Sequence, residues 1–295
     1  MWAAYGERMP TLDDNACRPL TAREFAKIRQ LAYDTSGLDL RAGKESLVSA
    51  RLGKHIRQRG CRSFDEYYRQ VVEDSTGEAL IALIDALTTN HTSFFREPAH
   101  FDFLRKTFLP EWKNRGGVDI WSAACSSGEE PYSLAMCILE EWGSVAPGKV
   151  RILATDISTR VLAAAERGIY PAERFACLSA AQLHRYWLRG ERDWAGCYRA
   201  KKEIRALVEF RRLNLLEPVG QIGRFPLVFC RNVMIYFDKP TQQQVVERLA
   251  GCLEPGGYLL TGHAENLTGI EHGLRYVQPA VYRKAPAEGG QKGRS

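Results

Sequence analysis

The sequence contains no C-x-x-C pair and no tandem cysteine spacing: its 8 cysteines stand singly, and its 6 histidines form no H-E-x-x-H or comparable ligand pair. Neither a zinc site nor a disulfide framework is expected, and no metal is assigned. Cys137 and Cys230 lie within apolar runs, where a thiol acts as a small hydrophobe. No apolar run approaches the roughly 20 residues of a membrane span. The first residues, M-W-A-A-Y-G-E-R, have no signal-peptide core. A cytoplasmic protein without direct membrane insertion is therefore expected. There is no G-x-G-x-x-G, the turn that cradles a dinucleotide's pyrophosphate. Charge of one sign is not in large excess either: the net charge is +6 over 295 residues, so any electrostatic function must come from local clusters.

What is present centres on Val118 to Ala135, V-D-I-W-S-A-A-C-S-S-G-E-E-P-Y-S-L-A. An apolar run gives way to Ser126-Ser127-Gly128 and then to a helix-forming segment, which reads as strand, tight turn and helix. In an α/β sheet such a turn, at the carboxyl end of a strand, is where nucleotide-like ligands sit. A phosphate binder would place basic groups or a glycine cradle here. Glu129 and Glu130 instead suit hydroxyls, an ammonium or a sulfonium, which points to an adenosine compound without phosphates, S-adenosylmethionine first among them. Taken alone the turn is a weak signal, because Ser and Gly serve many strand-to-helix turns for geometry only.

Residues 1–18 read as a loose leader and 19–87 as a helical domain. T-A-R-E forms a capping box with Thr21 and Glu24, followed by Phe25, Ile28, Leu31 and Ala32 at helical spacing. A second helix, about 44–59, buries Val48, Leu52 and Ile56. Between Arg41 and Arg62 seven Lys/Arg face one acid, Glu45. That face is either simply solvated or meets an acidic partner. Helices at 63–73 and 78–87 complete the domain.

The segment 88–97, T-T-N-H-T-S-F-F-R-E, is unlike a spacer. Asn90, Thr92 and Arg96 around Phe94 and Phe95 are better suited to lining a site. A helix over 98–112 leads into the central strand, and the α/β domain spans 98–285, with a flexible tail at 286–295. V-R-I-L-A-T-D-I-S ends a second strand at Asp156, about 20–30 residues past the turn, where a carboxylate meets ribose hydroxyls; Asp156 could instead be only the cap of the next helix, a reading compatible with the first but less favoured by the spacing. Alternation over Cys197 to Phe210 predicts two short antiparallel strands, a β-subdomain at about 193–212. L-N-L-L closes a strand at Asn214, and P-L-V-F-C-R-N-V-M-I-Y-F runs into Arg231 and Asn232.

These segments, with G-H-A-E-N-L, closely resemble the CheR family, the chemotaxis receptor methyltransferases, over about residues 20–283. The resemblance implies a Rossmann-like S-adenosylmethionine-dependent methyltransferase domain with an N-terminal all-helical domain and a small antiparallel β-subdomain insertion. It implies transfer of a methyl group to receptor glutamates, forming methyl esters and S-adenosylhomocysteine. By the same carry-over Asn90, Thr92 and Arg96 touch the cofactor, with Glu130 near its methionine end and Asp156 at the ribose. Asn214 and Leu215 would frame the adenine, and Arg231 and Asn232 would line the methionine side. Arg96 and Tyr236 are expected to orient the substrate carboxylate, and Arg51 and Arg57 to meet cytoplasmic receptor helices. A monomer is the default. Two departures stand out: Cys125 where many relatives have Ala, and Pro226-Leu227 before V-F-C-R-N in place of the more usual Asp.

Two other readings stay open on these residues. A basic helix beside a cofactor site would also attract nucleic acid, although R-N-V-M stands where a base amino-methylase would carry N/D-P-P-Y/F. A signalling module that binds without turnover is the second.

Overall fold

Side chains that cap helix starts set the frame of the N-terminal part. The computed structural model describes residues 19–88, 91–218 and 222–287. The leader, Asn90 and residues 288–295 of the tail lie outside the described residues. The chain divides into two compact units, 1–35 with 40–89 and 36–39 with 90–295.

In the first unit, α1 (Ala22–Ser36) begins with the predicted box. Thr21 N donates to Glu24 Oε2 at 2.9 Å and Glu24 N donates to Thr21 Oγ1 at 3.3 Å. The other oxygen of Glu24 accepts from Asp65 N at 3.1 Å, tying this start to the next helix pair. α2 (Glu45–Gln58) buries Val48, Leu52 and Ile56 completely, each worth roughly 1.5–3 kcal/mol relative to exposure. α3 (Phe64–Glu73) is capped by Ser63, and α4 (Glu78–Leu87) starts at a left-handed Gly77.

The second unit opens with α5 (Pro98–Phe103), which continues through one wide π-helical turn (Leu104–Phe108) into α6 (Leu109–Trp112). β1 (Val118–Ala123), α7 (Glu129–Trp142), β2 (Val150–Asp156) and α8 (Thr159–Arg167) follow. Next come β3 (Ile169–Pro171), α9 (Ala180–Tyr186), β4 (Trp187–Arg189), β5 (Cys197–Ala200), α10 (Lys202–Arg205) and β6 (Val208–Arg212). β7 (Phe225–Cys230), α11 (Lys239–Cys252), β8 (Leu253–Thr261), β9 (Leu274–Gln278) and β10 (Val281–Lys284) complete it.

Seven strands form one sheet in the order β6-β2-β1-β7-β8-β10-β9. Its first five strands run parallel, and β10 is antiparallel to both its neighbours. Alternate residues of each central strand face opposite sides: Val118 and Ile120 join Tyr132 and Ile138 of α7, whereas Trp121 and Ala123 join Val245 and Leu249 of α11. The sheet is thus covered on both faces, which is why its parallel strands are nearly continuous apolar runs.

The β-subdomain differs from the expectation of 193–212. It is a three-stranded antiparallel sheet, β3-β5-β4, drawn from residues 169–200. Residues 208–212 instead form β6, the parallel edge of the main sheet, paired with β2. An edge strand is half exposed and so alternates polar with apolar residues, as a hairpin does. The helix that follows the central turn starts at Glu129.

Candidate functional site

Register brings four strand ends together. Ala123 pairs with Thr155 and Cys230, and Asp156 pairs with Arg212. The turns that leave β1, β2, β6 and β7 therefore share one edge of the sheet. β2 lies on one side of β1 and β7 on the other, the switch point at which α/β sheets bind ligands.

The turn after β1 is unusual in its backbone. Ala124, Ser126 and Gly128 all have positive φ, 64°, 50° and 95°. Left-handed non-glycine residues are strained, and such strain gathers at functional sites. Gly128 has no alternative, because a Cβ there would lie 2.7 Å from the Cβ of Ala165. The turn is held by Asp156, whose Oδ2 accepts from Ser126 N at 2.9 Å, and by Tyr170, whose hydroxyl donates to Ser127 O at 2.6 Å. The other oxygen of Asp156 accepts from Ser158 N at 3.0 Å. Ser158 Oγ, not Asp156, caps α8 by accepting from Val161 N, which decides against the capping alternative.

The aromatic residues of the linker are anchors. Phe94 stacks on Phe175 with centroids 4.9 Å apart and meets Tyr170 and Trp187 edge-on at 5.2 and 5.1 Å. Arg174 Nη1 donates to Thr92 O at 3.0 Å, and Phe95 N donates to Ser133 Oγ at 3.0 Å. Arg96 folds back so that Nη1 donates to His91 O at 2.6 Å. Thr92 is buried and Arg96 half-buried.

Beyond β7, Arg231 is 6% exposed yet all three of its nitrogens are engaged. Nη1 donates to Glu130 Oε2 at 2.8 Å, Nε and Nη2 donate to Glu97 Oε2 at 3.3 and 3.0 Å, and Nη2 also donates to Arg96 O. Glu130 Oε1 accepts from Ser122 Oγ at 2.7 Å. Asn232, itself left-handed at φ 58°, donates through Nδ2 to Glu97 Oε1 at 3.1 Å. A second carboxylate, Glu265, accepts from the backbone N–H of Asn232 at 2.7 Å, Gly262 at 2.7 Å and Ile235 at 3.2 Å. Tyr236 follows in this turn, half-buried, and its carbonyl accepts from Asp39 N at 2.8 Å. Asn214 Oδ1 accepts from Leu216 N at 3.0 Å, and Leu213 N donates to Asp156 O at 3.0 Å, so the Asn214-Leu215 turn lies beside the β2 end.

Burial alone would raise the Glu97 carboxyl. The Arg231 charge and hydrogen bonds from Asn232, Arg231 and the His263 amide outweigh it, and the pKa lies below the usual range. Burial raises Glu265 despite its backbone donors. His100, fully buried with Nδ1 3.3 Å from Glu97 Oε2, is pushed down to about 4, first by burial and then by the Arg231 charge. Glu97, His100 and His263 present ligand atoms within 4.8 Å of one another. A divalent ion there would sit against the Arg231 guanidinium, already 3.0 Å from Glu97 Oε2, so the arrangement favours the arginine.

The four turns thus present Glu130, Asp156 and Asn214, together with an arginine already matched by two carboxylates. No lysine lies in them, and phosphates would meet acids. An adenosyl compound with hydroxyls and positive charge fits this donor set. Among the residues expected here, Thr92 and Arg96 lie in the linker, Glu130 in the first turn of α7, Asp156 at the end of β2, and Asn214, Leu215, Arg231, Asn232 and Tyr236 in the turns after β6 and β7. Sequence reasoning missed Glu97 and Glu265 as site residues. Arg51 and Arg57 lie in the helical unit, where Arg57 is exposed but Arg51 is half-buried and donates to Leu87 O.

Fold and donor set define an S-adenosylmethionine-dependent methyltransferase domain. The CheR methyltransferase SAM binding domain matches residues 90–282, and the CheR methyltransferase all-alpha domain matches residues 23–88. The chain is 42% identical over 266 residues to chemotaxis protein methyltransferase 2 of Pseudomonas aeruginosa, covering 90% of this chain and 94% of that one. It is 41% identical to the chemotaxis protein methyltransferase of Klebsiella aerogenes, covering 90% of each, and 39% identical to that of Escherichia coli, covering 89% and 91%. The chain belongs to the CheR methyltransferase family.

Proposed function

We propose that this protein methylates glutamate side chains on the cytoplasmic helices of chemotaxis receptors, yielding glutamate methyl esters and S-adenosylhomocysteine. The observation that supports this reading is the carboxylate-rich edge formed by Glu130 and Asp156 at neighbouring strand ends. In this reading Asp156 accepts from ribose hydroxyls, Asn214 and Leu215 frame the adenine, and Glu130, Arg231 and Asn232 line the methionine end. Thr92 and Arg96 of the linker, with Asn90 by the family resemblance, touch the cofactor. The protein acts as a monomer in the cytoplasm, on protein and not on nucleic acid.

S-adenosylmethionine supplies an electrophilic methyl group on sulfur. A glutamate, with an unperturbed pKa of about 4.3, is already ionised near neutral pH, so no general base is required. What the chain contributes is alignment in a site shielded from water. Arg96 and Tyr236 have donors that match carboxylate oxygens and would orient the incoming side chain. Too tight a grip by Arg96 would blunt the nucleophile, and its hydrogen bond to His91 O limits how far it can reach.

The test is incubation with methyl-labelled cofactor and receptor-bearing membranes, followed by alkali. Label should enter the receptor and leave as methanol. Absence of transfer, or alkali-stable label, would contradict the assignment.

A further inference from the structure

The turn that carries Tyr236 borders a second opening, which no role given so far uses. Between that turn, the start of α11 and the loop after β8 lies a recess of about 140 Å³. Met234, Leu267 and Ile270 form its buried floor, and Ile235, Lys239 and Asn266 stand exposed at its rim. Gln242 Nε2 holds the turn against α11 by donating to Met234 O at 2.8 Å and to Phe237 O at 3.2 Å.

Two charged groups line the recess, and only one faces outward. Glu265 is 5% exposed, and its carboxylate is taken up by the backbone N–H groups of Asn232, Ile235 and Gly262. Lys239 is exposed, and its ammonium has neither a hydrogen bond nor an ion pair among the described residues. Its neighbour Asp238 is engaged in capping α11, where it accepts from Thr241 N at 2.9 Å. Asn266 accepts from Thr268 N through Oδ1 at 3.1 Å, which leaves its amide hydrogens for another acceptor. Lys239 is also the first residue of α11, where a cation opposes the helix dipole. The fold gains nothing from a cation at that position, so its use lies outside the chain.

We propose that this recess is a specificity site for the acceptor helix. It receives a second acidic side chain, within one turn of the glutamate to be methylated, with its methylenes on Ile235 and Met234 and its carboxylate on Lys239 and Asn266. This deepens, and rests on, the reading of Tyr236 as the residue that orients the incoming carboxylate. Ile235 and Tyr236 are consecutive, with Cα atoms about 3.8 Å apart, and side chains one turn apart on a helix stand about 5–6 Å from each other. One acceptor helix can therefore engage both. A glutamate flanked by a second acid is then preferred to an isolated one.

Initial rates of methyl transfer against receptor concentration test this with Lys239→Glu. The KM for receptor should rise about fivefold at low ionic strength, with kcat and the calorimetric cofactor affinity unchanged. Receptors in which each acid within one turn of the target is changed to Lys in turn should include one that Lys239→Glu methylates better than the wild type does. An unchanged KM would overturn the proposal. So would a raised KM that no Lys-bearing receptor restores, because that is the mark of long-range attraction and not of a seated side chain. Glu at the first helical position suits the dipole, so the variant should fold. Should it not, the wild type decides alone: changing the flanking acids to Ala must raise its KM, and an unchanged value would overturn the proposal. A wild type that methylates no receptor glutamate would instead overturn the reading on which this one rests.

Discussion

Arg231 and His100 show how much depends on single buried groups. Replacing Arg231 with Ala leaves Glu97 and Glu130 facing each other without their cation. Breaking a buried pair in this way costs about 3–5 kcal/mol, to be read as a lower midpoint in urea unfolding. His100 sets an acid limit. Its folded pKa, about 4, lies below the unfolded value of 6.5, so the unfolded chain binds the proton first. Its contribution is therefore complete above pH 6.5 and is lost as pH falls toward 4, by at most about 3 kcal/mol. Glu97, also depressed, loses its contribution in the same direction, at lower pH. Thermal melting from pH 7 to 4 should decline less steeply in His100→Asn than in the wild type. An unchanged slope would remove His100 from the account. Glu97 was visible in the sequence only as the last letter of T-T-N-H-T-S-F-F-R-E, because its partner Arg231 lies 134 residues away and no local spacing records that distance.

At the scale of elements, the linker and the small sheet act as one piece. Phe94 fills the aromatic cluster of Tyr170, Phe175 and Trp187, and Arg174 ties Thr92 to it. Phe94→Ala should cost about 3–5 kcal/mol in denaturant unfolding and weaken cofactor binding by loosening residues 91–97. Stability lost with no change in cofactor affinity would uncouple the linker from the site. The four helices of the first unit were legible because capping boxes and 3.6-residue stripes are local signals, and Thr21, Glu24, Ser63, Val48, Leu52 and Ile56 all behave as those signals predict. β6 was misread because an edge strand and a hairpin share the same alternation. The pairing of β3 with β5 joins residues about 30 apart and left no pattern in the sequence.

For the whole molecule, the proposed reading gives the receptor to one unit and the cofactor to the other. The helical unit carries a basic face on α2, of which Arg57 is exposed while Arg51 is committed to Leu87 O. Arg57→Glu should slow receptor methylation several-fold at low salt and leave calorimetric cofactor affinity unchanged; Arg51→Glu would also disturb the end of α4 and is the poorer probe. Parallel loss of cofactor affinity in Arg57→Glu would contradict this division. Asp156, Asn214, Arg231 and Asn232 were legible in the sequence because strand ends announce themselves where apolar runs stop, whereas their expected roles at the cofactor came from the family resemblance. The carboxylate network that orders them came only with the fold. The most direct test is a crystal structure with S-adenosylhomocysteine. The account predicts the ribose on Asp156, the adenine beside Asn214 and Leu215, and the amino-acid end near Glu130; a ligand seated away from these strand ends would contradict it.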